Sequence, residues 1–297
     1  MNGDNMFEEI SLILYDYFLA IIFGVILLIF VLALVNRKKL ATRKYMSFKV
    51  YKQDWQRSHM YQEQIDEDVR SGFSKWLKFN FILSKYLAII GFTPNLASAL
   101  AFVLSTASAY YFIKAPSAIL INLFLSNFYF VLSVAFLLLS GLLDVLDGAI
   151  ARLTYSSTPF GDLLDNVVDK YSDAIVLIAI IYGGLVNPFI GLAALLGSLL
   201  VDYARARTMG LGLKRTKVTI GERPFRMLMI SVAVAFQFVA QLSAALNVHV
   251  WIGGGVYLHE LFLDSVRWGI LVLVILTHFS TIQIVIHAKK NLPKEFM

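Results

Sequence analysis

Long apolar runs alternate with short polar stretches along this chain, and a membrane-spanning helix needs roughly 20 apolar residues. The first run is Leu12 to Val35. It is longer than a signal-peptide core, no cation precedes it and no small-residue cleavage site follows, so it predicts a retained anchor. From Arg37 to Lys78 the chain is polar and mixed in charge, with Asp66, Glu67 and Asp68 in succession. Between Ser74 and Ile90, Trp76, Phe79, Phe81, Ile82 and Leu83 interleave with Lys75, Lys78 and Lys85, the pattern of an interfacial amphipathic helix. Six further spans follow: Thr93 to Ile113, Ser117 to Leu153, Pro159 to Leu185, Pro188 to Arg207, Arg223 to Leu246 and Val266 to His287. Pro94, Pro116, Pro159 and Pro188 are placed at or near helix starts, where the missing N–H is harmless. The run from Ser117 is too long for one straight span, so its helix either starts late or projects beyond the bilayer.

The pattern predicts an all-α polytopic membrane protein. Its six-helix transmembrane core carries an extra N-terminal transmembrane helix and an interfacial helix. The expected division is an anchor over 1–36, a polar connector over 37–73 and the core over 74–297. The connector is either a helix that docks on the core or on a partner, or a plain link. The cations then set an orientation. Twelve Lys and Arg lie between Arg37 and Lys85, seven between Arg205 and Arg226, and Lys289, Lys290 and Lys294 lie in the tail. The opposite side holds only Lys114 and Arg267, with Asp4, Glu8 and Glu9 at the N-terminus. Cations mark the cytoplasmic side, so the N-terminus is expected outside and the C-terminus in the cytoplasm.

Composition agrees. Hydrophobic residues make up 58% of the 297 and charged ones 15%, with a mean hydropathy of +0.70. Soluble domains are about 25% charged, so both a typical soluble enzyme and a disordered chain are excluded. The net charge of +6 is explained by cytoplasmic loops, and nucleic acid is not needed as a partner. With no cysteine, disulfides, thiolate metal ligands and thiol nucleophiles are excluded.

The residues that change this picture are acids. Asp144, Asp147, Asp162, Asp165, Asp169 and Asp173 crowd two consecutive spans. Each would cost about 2.5–3.5 kcal/mol at the centre of a lipid-facing helix. Asp144 and Asp147 are i,i+3, and Asp165 and Asp169 are i,i+4, so each pair shares a helix face. The short connection from Thr154 to Phe160 makes the two helices antiparallel neighbours whose carboxylates converge near the cytoplasmic surface. Hard divalent cations such as Mg²⁺ or Mn²⁺ relieve that repulsion and bridge phosphates. Gly148 and Gly161 beside the acids suggest close approach of a bulky group to the backbone, and Arg152 adds a cation suited to phosphate. Two other accounts stand beside this one: the acids pair with Arg152, Lys170 and Arg205, or they line the path of a divalent-cation transporter.

The run Asp144-x2-Asp147-Gly148-x2-Ala151-Arg152-x8-Gly161-x3-Asp165-x3-Asp169 resembles the signature of the CDP-alcohol phosphotransferase family without a departure. The resemblance covers roughly residues 74 to 290. It implies transfer of a phospho-alcohol from a CDP-alcohol to a hydroxyl acceptor with release of CMP. It implies that Asp144, Asp147, Asp165 and Asp169 surround two divalent ions, Mg²⁺ or Mn²⁺, and that Asp169 is the general base. Asp144, Gly148, Arg152 and Gly161 are the implied CDP contacts. Asn95, in the segment Thr93-Pro94-Asn95, is implied to lie near the nucleotide; an N-cap is the simpler role for Thr93. The chemistry needs a neutralised diphosphate, a stabilised leaving group and an activated hydroxyl, which metals and a carboxylate supply. Asp162 and Asp173 fall outside the signature and are expected to support it or pair the helices.

Arg205, Arg207, Arg223 and Arg226 stand at the ends of two spans. Arginine binds phosphate bidentately, so a phosphorylated acceptor is favoured over topogenic charge alone. The strings Tyr-x-Arg-Ala-Arg from Tyr203 and Gly-Glu-Arg-Pro-x-x-Arg from Gly221 resemble the inositol-phosphate branch of the family. That resemblance implies inositol 1-phosphate as acceptor, held by the four arginines, and a homodimer among membrane lipids. Glycerol phosphate, serine or a CDP-inositol donor remain as alternatives, and a diacylglycerol donor is not distinguished from an archaeol one. His59, His249, His259, His278 and His287 form no ligand spacing, and Gly210-Leu211-Gly212 and Gly253 to Gly255 lack nucleotide-loop context.

Overall fold

The computed structural model describes residues 3–58, 67–119, 122–213, 221–246, 251–253, 256–257 and 264–292. The helices are α1 (Gly3–Ala41), α2 (Phe48–Ser58), α3 (Glu67–Ile90), α4 (Pro94–Ala118), α5 (Leu123–Leu153), α6 (Pro159–Tyr182), α7 (Pro188–Gly210), α8 (Arg223–Ala245) and α9 (Ser265–Asn291). Two short strands, β1 (Trp251–Gly253) and β2 (Val256–Tyr257), pair antiparallel between α8 and α9. His59, His249 and His259 lie outside the described residues, as do Lys214, Arg215, Lys217 and Lys294.

The chain is an integral membrane protein: α1, α4, α5, α7, α8 and α9 are each long and apolar enough to span a bilayer. The helix α6 is as long, but Asp162, Asp165, Asp169, Lys170 and Asp173 leave it no sufficiently apolar window. The expected span over 159–185 is therefore a helix of polar first half and apolar second half.

Sequence punctuation sets several helix starts. Leu96 N donates to Thr93 Oγ1, Gly161 N to Thr158 Oγ1 and Phe189 N to Asn187 Oδ1, each ahead of a proline-led first turn. Thr93 thus does cap α4. Pro116 departs from expectation. It lies in the last turn of α4, and α5 begins only at Leu123. Proline there removes the N–H that would bond back to the preceding turn and the helix closes two residues later; the Asn122 side chain then accepts from Phe124 N to open α5. Even with the late start, α5 at 31 residues is about 46 Å long, well beyond a hydrocarbon core of about 30 Å.

The chain forms two compact units. The first comprises Met1–Leu104 with Leu139–Val168. In it α1 and α2 pack on α3. Gly91, in the left-handed region at φ 115°, abuts the α1 backbone so closely that a Cβ would stand 1.8 Å from Ala33 O. Only glycine meets both demands. Ser140 Oγ donates to Ala101 O across α5 and α4.

The second unit comprises Ser105–Leu138 with Asp169–Met297. Its core is built from Phe112, Phe130, Leu137, Ile180, Ile230 and Ile270 with their neighbours. Small residues bring its helices together. A Cβ on Gly197 of α7 would fall 2.2 Å from Thr277 Oγ1 of α9, the close approach that substitutes for a hydrophobic driving force in lipid. Serines supply interhelical bonds: Ser108 Oγ to Ser133 O at 2.7 Å, and Ser265 Oγ to Ala233 O at 2.8 Å. His278 is spent on packing, with Nδ1 2.9 Å from Val274 O.

Candidate active site

Two turns of helix and a five-residue link build the acidic centre of the first unit. The last turns of α5 carry Asp144 and Asp147, the chain reverses over 154–158, and the first turns of α6 return Asp165. Ligand oxygens of these three carboxylates lie within 4.8 Å of one another. Asp147 is 3% exposed and accepts from Ser98 Oγ of α4 at 2.6 Å. Carboxylates so close, one of them buried, repel one another, a cation among them would relieve it, and an all-oxygen donor set fits a hard divalent ion.

Beside the acids is a cavity of about 750 Å³, within the same unit. Asp147, Gly148, Arg152, Gly161 and Asp165 line it, together with Asn95. Five of the six expected donor-site and metal positions that face it were thus named by the signature, and Asn95 by its segment. A Cβ on Gly148 would meet only the Arg152 guanidinium, at 3.8 Å. Internal packing therefore does not require glycine there, whereas an approaching ligand would. Arg152 Nε is buried and finds no hydrogen-bond partner among the described residues. A phosphate oxygen would satisfy it.

Further cavity groups were not picked out from the sequence. Ser98, one turn beyond Pro94, orients Asp147; its spacing from Asn95 was the available signal. Asn36, Lys39, Arg43 and Asp54 also line the cavity, and they come from the anchor and connector, where no motif marks them.

Asp169 lies one turn beyond Asp165 on α6 and belongs to the second unit. There it joins a ladder of ion pairs. Arg223 donates to Asp169 and reaches Asp173 with Nε at 3.4 Å. Arg226 donates to Asp173 and stands 3.4 Å from Asp202, which in turn pairs with Lys170. Arg226 also donates to Gly221 O at 2.6 Å. Arg223 and Arg226 are 7% and 3% exposed. Arg205 pairs with Glu222 at 3.0 Å, while Arg207 is exposed on α7. Two of the six acids, Asp169 and Asp173, thus pair with Arg223 and Arg226.

The family model for CDP-alcohol phosphatidyltransferase matches residues 91–280. The chain belongs to the CDP-alcohol phosphatidyltransferase family. Among curated relatives, the archaetidylinositol phosphate synthase of Methanothermobacter thermautotrophicus is 37% identical over 158 residues, 53% of this chain and 70% of that one. The archaetidylinositol phosphate synthase of Pyrococcus horikoshii is 30% identical over 210 residues, 71% of this chain and 90% of that one. Among solved structures, the phosphatidylinositol phosphate synthase of Mycobacterium tuberculosis with CDP-DAG bound matches with a TM-score of 0.54 at 21% identity. It covers 73% of this chain and 96% of its own. The family carries the transferase class with it: this is a membrane transferase of the CDP-alcohol type.

Proposed function

We propose that this enzyme transfers the phospho-alcohol of a membrane-embedded CDP-alcohol to a hydroxyl of inositol phosphate, in phospholipid synthesis. The observation that carries the donor half is the convergence of Asp144, Asp147 and Asp165 beside Arg152 and Gly148 in one cavity. The acceptor half is supported by the relatives named archaetidylinositol phosphate synthases and by the arginines of α7 and α8.

In the reaction the acceptor hydroxyl oxygen attacks the β-phosphorus. A new P–O bond forms as the bond to the bridging oxygen breaks, CMP leaves with that electron pair, and the acceptor proton passes to Asp169. Asp144, Asp147, Asp165 and Asp169 are the ligands proposed for two divalent ions. Mg²⁺ or Mn²⁺ held there would neutralise the diphosphate and the leaving phosphate. Ser98 donates to the Asp147 carboxylate and so orients it. Arg152 takes phosphate oxygens of the leaving nucleotide, Gly148 and Gly161 admit it against the backbone, and Asn95 bounds it. Arg205, Arg207, Arg223 and Arg226 bind the acceptor phosphate. The site opens to the cytoplasm, the N-terminus lies outside and the C-terminus inside, and the enzyme works as a homodimer.

One assay tests this. Purified protein is given CDP-archaeol or CDP-diacylglycerol, Mg²⁺ or Mn²⁺, and inositol 1-phosphate, glycerol phosphate or serine in turn, and CMP is measured. CMP release with inositol 1-phosphate is expected. Release with glycerol phosphate or serine alone would reassign the acceptor. No release with any acceptor, together with metal flux in liposomes, would replace the enzyme by a transporter.

A further inference from the structure

The family match begins at residue 91, yet one wall of the donor cavity comes from earlier in the chain. Asn36 and Lys39 from the end of α1, Arg43 just after it, and Asp54 from α2 face the same space as Asp147 and Arg152.

This wall is docked at several points. The Phe30 and Phe92 rings meet edge to face at 5.4 Å, and Gly91 lies against the Ala33 carbonyl. Beyond α1, Met46 N donates to Leu153 O, the last residue of α5, at 3.1 Å. Tyr51 of α2 is 1% exposed, with its ring 5.9 Å from the Arg152 guanidinium carbon and 5.4 Å from the Phe81 ring. Burial pushes the Tyr51 phenol up from its ordinary value, against the lowering pull of Arg152, so it meets Arg152 as a neutral ring. The chain from Phe30 to Tyr51 is therefore held on both sides of Lys39 and Arg43, which stay exposed at the cavity.

Acids and cations share this space, with Asp54 and Asp162 among the acids. Asp147 and Asp165 belong to the acidic cluster, while Lys39, Arg43 and Arg152 are cations lining the same cavity. A ligand that suits both kinds of wall has phosphate oxygens to share between a carboxylate-held divalent cation and fixed cations, as a nucleoside diphosphate does. We infer that Lys39 and Arg43, from the segment preceding the family core, are donor-binding residues that contact the diphosphate of the CDP-alcohol. This rests on the donor assignment made above.

The neighbouring cations supply the control. Lys38 and Lys44 carry the same charge within a few residues, are also exposed, and are not among the groups lining the cavity. Binding of CDP with Mg²⁺ would be measured by calorimetry on the full-length protein in lipid-free detergent, which removes anionic lipid headgroups as competitors. The pair Lys39→Gln/Arg43→Gln should raise the CDP Kd by about tenfold or more, since each lost contact is a charge-assisted bond. The pair Lys38→Gln/Lys44→Gln should change it by less than about twofold. Donor KM should follow the Kd and acceptor KM should not. The charge-keeping pair Lys39→Arg/Arg43→Lys should retain most of the binding, which separates lost charge from lost fold. Equal Kd values for both glutamine pairs, or no change in either, would overturn the inference and leave the donor assignment intact. Failure of the unmodified protein to bind CDP would overturn both.

Discussion

Arg223 of α8 donates to the carboxylate of Asp169 on α6, so a residue proposed to grip the acceptor phosphate is bonded to the residue proposed to take the acceptor proton. In the proposed mechanism this ion pair would couple acceptor binding to base function. Asp169→Asn should abolish CMP release while CDP still binds. Full activity in this variant, measured as CMP release with both substrates saturating, would remove Asp169 from the base role.

Arg226 sits deeper than Arg223 and is held by Asp173, Asp202 and the Gly221 carbonyl. Removing one member of a buried pair leaves the other charge stranded, a loss of about 3–5 kcal/mol. Arg226→Ala is therefore expected to lower the Tm as well as raise the acceptor KM far more than the donor KM. Arg226→Lys, which keeps the charge, should recover stability before it recovers acceptor affinity. Thermal melts beside two-substrate kinetics separate the effects; equal changes in both KM values would count against an acceptor contact.

Ser98 reaches the acidic cluster through its hydrogen bond to Asp147. Ser98→Ala should weaken Mg²⁺ or Mn²⁺ activation by about tenfold, with kcat largely restored at saturating metal. A titration of activity against metal after chelation reads this directly. An unchanged half-saturating concentration would mean that the hydrogen bond does not position the carboxylate.

Gly148→Ala has an unusual expected signature. The added methyl meets only the Arg152 guanidinium, at ordinary contact distance, and alanine is the better helix former by about 1 kcal/mol. Stability should hold or rise while donor affinity falls, because the methyl would occupy space facing the cavity. A melt and a CDP binding isotherm on the same preparation test it. A stable variant with unaltered CDP affinity would show that nothing approaches the backbone there.

Much of the site is legible in the sequence. The i,i+3 spacing of Asp144 and Asp147, with Asp165 early on the next helix across a short link, already required convergence, because helix periodicity and loop length leave little freedom. Pro94, Pro159 and Pro188 mark the starts of α4, α6 and α7 for the same local reason. Pro116 differs because proline favours an opening turn, whereas here it closes α4, and only the observed helix ends show this.

Local chemistry therefore determined the spans, the acidic signature and the reaction class, since each depends on residues near one another in sequence. Partnerships across long separations were decided by tertiary structure. Arg223 meets Asp169 54 residues away, and Ser98 meets Asp147 49 residues away. Lys39 and Arg43 are the clearest case. In sequence they are two cations among many in a basic stretch; only the docking of α1 and α2 on their own unit turns those two toward the cavity and leaves Lys38 and Lys44 aside. Charge is a property of a residue, but the direction it faces is a property of the packing.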